Sequence, residues 1–372
     1  MPLICIDCRY IGPRPSGIAK VVQALVDFIP SAAPDLDFLL LRHPRAPRPL
    51  SHGGNVSEIE VNASANSPTT MWWLPWAANI SKVDLFHATY NIMPRGLAMP
   101  CLTTIHDIMW LTAPEWCNTR WSGAAERWFY QHGIKRALKR SAAIGTVSEA
   151  SRRAIIDYAP AAADRVHVAQ LGVSADYRPT AASTEFLTGL GLPAGKRFVL
   201  TVGQYVPYKN HEGAARIFAR IADAHQDCDL VFVQRMSRRS ARLRSLVAAL
   251  GIANRVHFLP ATGDAELTAL LSAAAALLHP SFCEGFGLPL LEAMACGCPV
   301  VTGARSAMAE VVGDAGLLAQ PDDLDAMASA LHSVLSNTKV RADLIRKGFL
   351  RASGMRWENF ARANLDLYRK LL

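Results

Sequence analysis

Acidic charge, long apolar runs and paired cysteine motifs are all scarce in this chain of 372 residues. The longest apolar stretch, 267–278, is broken by Ser272 and falls short of the ~20 residues a bilayer demands. An integral membrane protein is therefore not expected. The chain opens directly on Leu3-Ile4-Cys5-Ile6, with no cationic run or cleavage pattern before it, so no signal peptide is expected and the protein reads as cytoplasmic. The eight cysteines then read as reduced core residues. Cys5 and Cys8 spell C-x-x-C, but no second pair completes a zinc site, and residues three apart on a strand face opposite sides. Acidic residues, 31 against 39 Lys and Arg, leave a net charge of +8. That excess is evenly spread: residues 1–180 hold 18 Lys/Arg and 14 Asp/Glu, and residues 181–372 hold 21 and 17. An even spread excludes a dedicated nucleic-acid-binding domain.

What is abundant is apolar residues, half of the chain, enough to bury two cores. Short apolar runs alternate with helical patterns. Strands are expected at 3–8, 38–41, 83–88, 102–105, 143–147 and 166–169, and again at 198–202, 230–233, 256–259, 276–279 and 299–302. That rhythm implies βαβ units and parallel sheets. Residues 43–80, rich in Pro, Ser, Asn and Trp, read as a surface loop region with a small local cluster. A polar stretch with Pro and Gly at about 178–196 is the candidate linker. The expected organisation is α/β: two Rossmann-like doubly wound domains, 1–180 and 181–355, facing a central cleft, with a final helix, 356–372, returning to the first domain.

The strongest chemical signal runs from Ser281 to Gly297. Pro289 suits a first helical turn and Gly297 a C-terminal cap, so a helix starts just after the loop that holds Gly285 and Gly287. Free amides at a helix start suit a phosphate, and the glycines admit a ligand close to the backbone. Glu284 and Glu292 beside an anion site make sense as acceptors for hydroxyl groups. A nucleotide sugar supplies both the anion and the hydroxyls.

This stretch resembles the Glu–seven residues–Glu signature of the retaining family 4 glycosyltransferases, whose fold is GT-B. Pro280-Ser281, Gly297-Cys298-Pro299-Val300-Val301 and the block 311–318 agree with that resemblance, which covers nearly the whole chain. It implies that Glu284 contacts the donor sugar, Glu292 the ribose, and the amides around Phe286, Gly287 and Leu288 the diphosphate. The run 202–210 is similar to the family's phosphate-binding block, with Gly203, Lys209 and Asn210 in place. Lys209 would neutralise the leaving diphosphate. Gln204 stands where many members carry Arg, and Arg235 is the candidate to compensate. His106-Asp107 ends a strand of the first domain, where the family has a His-Asp that contacts the donor sugar; Asp107 then orients the loop or the histidine. Ser148, in a block similar to the family's Thr/Ser-x-Ser, lines the cleft or caps the next helix. Gly17 would let the first-domain loop approach donor or acceptor. His106, Lys209 and Glu284 are thus the catalytic candidates.

The resemblance implies transfer of a hexose with retention, without cofactor or metal, to a glycan or lipid-linked acceptor in polysaccharide biosynthesis. The whole-chain pattern looks most like bacterial polysaccharide mannosyltransferases, which favours GDP-mannose over UDP-sugars or other GDP-sugars. An epimerase would need further cleft carboxylates, and a non-catalytic binder would not need the full set of His106, Lys209, Glu284 and Glu292. Three Asp-x-Asp strings, at 35–37, 227–229 and 323–325, precede strands or begin a helix, so they read as turns and caps rather than metal sites. Residues 120–153 carry eight cations (Arg120, Arg127, Lys135, Arg136, Lys139, Arg140, Arg152 and Arg153) against Glu126 and Glu149, interleaved with Trp121, Trp128, Phe129 and Tyr130. The segment reads equally as a helix lying on an anionic membrane and as an amphipathic helix with a solvated basic face.

Overall fold

The structure is a computed structural model that describes residues 1–12, 16–47, 49–117, 123–234 and 240–372. It forms two compact units. The first comprises 1–114, 119–172 and 356–372, the second 115–118 and 173–355.

The first unit is a seven-stranded parallel sheet. Its strands are β1 (Leu3–Asp7), β2 (Asp37–Arg42), β3 (Val56–Glu60), β4 (Leu85–Ala88), β5 (Cys101–Thr104), β6 (Ala143–Thr146) and β7 (Val166–Val168). They lie in the order β3-β2-β1-β4-β5-β6-β7. Central strands are buried along nearly their whole length because helices cover both faces. The second unit repeats the plan with β8 (Arg197–Val202), β9 (Cys228–Val233), β10 (Val256–Leu259), β11 (Ala276–His279), β12 (Val300–Gly303) and β13 (Gly316–Ala319), ordered β10-β9-β8-β11-β12-β13 and again parallel. Val199, Phe218, Leu230, Phe232 and Leu331 are among the fully buried residues of its core.

Some expectations need correction. Residues 43–80 are not simply loop. They hold the edge strand β3 and a helix, Pro68–Ala77, started by Ser67, whose hydroxyl accepts from the Thr70 amide. Buried Arg9 fixes that helix from the carboxyl end of β1. It pairs in bidentate fashion with Asp7 (2.7 and 2.5 Å) and donates to Thr70 Oγ1 (2.9 Å) and the Ala63 carbonyl (3.1 Å). The chain passes between units at 172–173, and residues 178–196 belong wholly to the second unit, where Ser183 caps a short helix, Thr184–Gly189. Asp229 is not a turn residue. It is buried inside β9, held by Lys196 (3.1 Å) and His257 (2.9 Å). Asp37 begins β2, and Asp323 caps the helix Leu324–Ser336 through the Ala326 amide. Cys5 and Cys8 are both buried free thiols.

The last helix, Trp357–Leu371, packs in the first unit against the helix Gly17–Ala32. Its buried Tyr368 meets His87 Nδ1 at 2.7 Å, while His87 Nε2 meets Thr104 Oγ1 at 2.8 Å. At its start the backbone of Arg356 and Trp357 crosses Gly172 so closely that a Cβ there would overlap both. No helix among the described residues is long and apolar enough to cross a membrane.

Candidate active site

The connections of the second sheet change direction between β8 and β11, which are neighbours. Ligands of open parallel sheets bind at such a switch point, outside the carboxyl ends of the strands. The two loops that leave there carry most of the residues singled out above.

After β8 comes Gly203, over which the stem of Lys209 lies. A single tight turn, Pro207–Lys209, follows, and Asn210 adopts a left-handed conformation (φ 53°) to cap the helix His211–Ile221. The Asn210 side chain accepts from the Gly213 amide (3.1 Å) and donates to the carbonyls of Pro280 (3.0 Å) and Pro321 (3.2 Å). Its amide is thus committed to stapling the two loops together, and it sets the position of Lys209.

Lys209 Nζ donates to Glu284 Oε1 at 2.7 Å. Two more groups converge on the same oxygen: His279 Nε2 at 2.9 Å and the Ser281 hydroxyl at 2.8 Å. The Glu284 amide donates to Ser306 Oγ at 2.9 Å. Burial works to raise the Glu284 carboxyl, but Lys209 and His279 outweigh it and hold the group down at about 2. It is therefore an anion with one oxygen fully engaged and Oε2 left for a ligand hydroxyl. Burial keeps His279 below its ordinary value, so the imidazole is neutral and donates through Nε2. Burial, helped by Lys209, likewise lowers His211 to about 3, and its Nε2 donates to the Gly203 carbonyl at 3.2 Å.

Beyond Glu284 lie Gly285, buried Phe286 and Gly287, whose φ of 100° only glycine adopts readily. Gly287 opens the helix Leu288–Ala295, where no side chain caps the amides and Pro289 lacks one. The start of this helix is a donor surface for an anion. Glu292 is buried on the same helix beside Tyr177, whose hydroxyl donates to Asp264 Oδ1 at 2.9 Å. Burial, Glu292 and Asp264 all push the Tyr177 phenol up, so it stays protonated. Arg235 lies outside the described residues.

The first unit is different in character. His106 follows β5. Its amide donates to Asn91 Oδ1 (2.9 Å) and its Nε2 to the Thr89 carbonyl (3.0 Å). Burial lowers it to about 4, so it is a neutral imidazole beside the ring of Tyr90 (6.0 Å). Asp107 Oδ1 accepts from the Met109 amide (2.9 Å), which holds the loop that follows. Ser148 is fully buried and caps the helix Glu149–Tyr158 through the Ser151 amide (3.0 Å). Gly17 begins its helix one residue after Ser16, which accepts from the Ala19 amide.

Two family models match the chain. "Glycosyl transferases group 1" covers residues 183–351 and "Glycosyltransferase Family 4" covers residues 15–177. The O-antigen chain mannosyltransferase B of Escherichia coli is 31% identical over 300 residues, 80% of this chain and 77% of that one. The chain belongs to the family 4 glycosyltransferases. A second relative, the MMP alpha-(1->4)-mannosyltransferase of Mycolicibacterium hassiacum, is 28% identical over 383 residues, 97% of this chain and 89% of that one. Among solved structures, the sucrose-phosphate synthase of Thermosynechococcus elongatus superposes with a TM-score of 0.77 at 20% identity, covering 100% of this chain and 99% of that one. HepE of Anabaena in complex with UDP-glucose gives 0.73 at 18%, each chain covered in full. These likenesses establish the GT-B fold of the glycosyltransferase.

Four residues of this glycosyltransferase's switch point escaped the sequence reading as site-builders: His279, Ser281, Ser306 and Tyr177. His279 and Ser281 sit inside the legible motif, and their convergence on one oxygen is a fact of three dimensions. Ser306 comes 22 residues after Glu284 and adopts φ 50°, a strained conformation for a residue with a Cβ. Its hydroxyl serves the Glu284 backbone instead of capping its own helix.

Proposed function

We propose that this glycosyltransferase moves mannose from GDP-mannose, with retention of anomeric configuration, to a glycan or lipid-linked oligosaccharide acceptor of polysaccharide biosynthesis. The observation that carries this reading is the convergence of Lys209, His279 and Ser281 on Glu284 Oε1 at the β8/β11 switch point. An anionic carboxylate with one oxygen held fast is a rigid acceptor for sugar hydroxyls. A lysine beside it supplies the cation that a departing diphosphate requires, and preorganised charge of this kind is what lowers the barrier. The uncapped start of the helix Leu288–Ala295 adds amide donors for the same phosphates. Glu292 takes the ribose hydroxyls, and His106 of the first unit contributes a neutral imidazole to the sugar. In the reaction the C1–O bond to diphosphate breaks, the acceptor oxygen bonds C1 on the same face, and its proton passes to the departing phosphate oxygen. No cofactor enters this scheme. Mannose is favoured because both relatives described above are named mannosyltransferases. A lipid-linked acceptor would bring the protein to the cytoplasmic face of a membrane.

The test is a thermal-shift panel of GDP-, UDP- and ADP-sugars, followed by turnover of the stabilising donor with membrane lipid extracts. Stabilisation and turnover by GDP-mannose are expected. Turnover of a UDP-sugar alone would overturn the donor, donor consumption without acceptor would indicate an epimerase or hydrolase, and binding without turnover would indicate a non-catalytic binder.

A further inference from the structure

Two carboxylates of the second unit meet one phenol. Tyr177 is 5% exposed; its hydroxyl reaches Asp264 Oδ1 at 2.9 Å and is hydrogen-bonded to Glu292 as well. Glu292 is buried on the helix Leu288–Ala295, whereas Asp264 is exposed in the first turn of the helix Asp264–Ala273, where a carboxylate is favoured. A buried tyrosine hydroxyl needs one partner, and Asp264 alone would satisfy it. The contact with the second carboxylate asks for a reason.

The backbone around the phenol holds it still. The Ser174 hydroxyl donates to Asp176 Oδ2 (3.0 Å), and the Tyr177 amide donates to the Ser174 carbonyl (3.1 Å), which closes a turn at the ring. Three residues on, the Thr180 amide donates to Ser272 Oγ (3.1 Å) in the last turn of the helix that Asp264 begins. The segment 177–180 is thus fastened to that helix near both of its ends, and the phenol bridges from it to Glu292.

A phenol has a single proton to give. Burial and the two carboxylates keep that proton on the Tyr177 oxygen. Pointed at Asp264, it leaves the Glu292 carboxylate as an acceptor for an incoming hydroxyl; pointed at Glu292, it would compete with one. A neutral phenol also orients a carboxylate without cancelling its charge, in contrast to Lys209, which holds Glu284 as a cation. We propose that Tyr177 and Asp264 act together as positioning residues of ribose recognition: Asp264 draws the phenolic hydrogen bond to itself, and the phenol fixes Glu292 where it accepts from the ribose hydroxyls. The inference deepens the reading in which Glu292 takes the ribose and rests on it.

The test compares two ligands, the nucleoside diphosphate that the thermal-shift panel selects (GDP on the reading above) and its 2′,3′-dideoxy form. Calorimetry gives the affinity of each for wild type, Tyr177→Phe, Asp264→Ala and Glu292→Gln. Tyr177→Phe keeps the ring, Asp264→Ala alters an exposed side chain, and melting temperatures check that all three fold. Wild type should prefer the ribonucleotide on the order of 100-fold, as loss of hydrogen bonds to a charged group implies. Glu292→Gln should abolish most of that preference, Tyr177→Phe should cut it about tenfold, and Asp264→Ala a few-fold, with dideoxy affinity unchanged within about twofold. In turnover, Tyr177→Phe should raise the KM for donor and spare kcat, the mark of binding equal in ground and transition states. A merely structural tyrosine would weaken both ligands alike, and that result, or a full ribose preference in Tyr177→Phe, overturns the proposal. If Glu292→Gln loses the preference while Tyr177→Phe keeps it, this inference alone falls. If Glu292→Gln keeps it, the ribose assignment falls too.

Discussion

The two units share one strand plan and differ in how they hold polar groups. In the second, Lys209, Glu284, His279 and Ser281 form a charged network whose geometry is fixed before any ligand arrives. In the first, His106 is neutral and faces Tyr90, and the Gly123–Arg140 helix carries five cations against one carboxylate. A lysine held in such a network is a cation of constant position, whereas His106 offers only a buried neutral hydrogen-bonding group.

The sharpest way to break that comparison is to remove the charges. Lys209→Ala and Glu284→Ala should each lower kcat by ~10²–10³-fold at saturating donor, with the fold retained, as loss of one preorganised stabilising contact does. Near-normal turnover in either would place the chemistry elsewhere. His106→Ala should cost less, about fivefold in kcat/KM, because one neutral hydrogen bond is worth about 1 kcal/mol net. An effect as large as that of Lys209→Ala would make the first unit the equal of the second. Ser306→Gly relieves the left-handed strain but removes the hydroxyl that holds the Glu284 amide. Turnover should fall a few-fold while stability at neutral pH changes little, read by steady-state kinetics beside a melting curve.

Acid probes the halves through their histidines. Burial lowers His87 to about 3 and His106 to about 4 in the first unit. The unfolded chain therefore takes up protons first as pH falls. Stability from these neutral imidazoles is complete above about 6.5 and is lost progressively as pH drops toward 3. The melting temperature should decline over that window, and His87→Gln, less stable at pH 7, should decline less steeply. Equal slopes would mean that other groups carry the acid sensitivity. The smallest expected effect is that of exhaustive chelation. On the proposal that Lys209 and the helix amides neutralise the diphosphate, turnover should be unchanged, and a loss restored by Mg²⁺ or Mn²⁺ would overturn it.

Much of this was legible in the sequence. The strand rhythm gave both sheets, because buried parallel strands are continuous apolar runs. The stretch 281–297 gave the helix start and both carboxylates, because proline and glycine punctuate it. The helix Pro68–Ala77 was not legible, since Pro75 lies inside it and tryptophans occupy both its faces, which erases the amphipathic period. β3 and β13 were missed because they are edge strands, half-buried, with little apolar contrast. Ser148 could be read two ways, and its burial as a helix cap is a matter of tertiary packing.

The fastening of Tyr368 to His87 bears on how the chain is made. Residues 115–118 and 173–355 complete the second unit, yet the first must wait for the helix Trp357–Leu371. During synthesis the half that begins first is the last to close, its strands complete but the face that this helix will cover still exposed. A nascent chain halted before residue 357 would carry a finished second unit beside a first unit still open, the state in which chaperone capture or proteolysis would act.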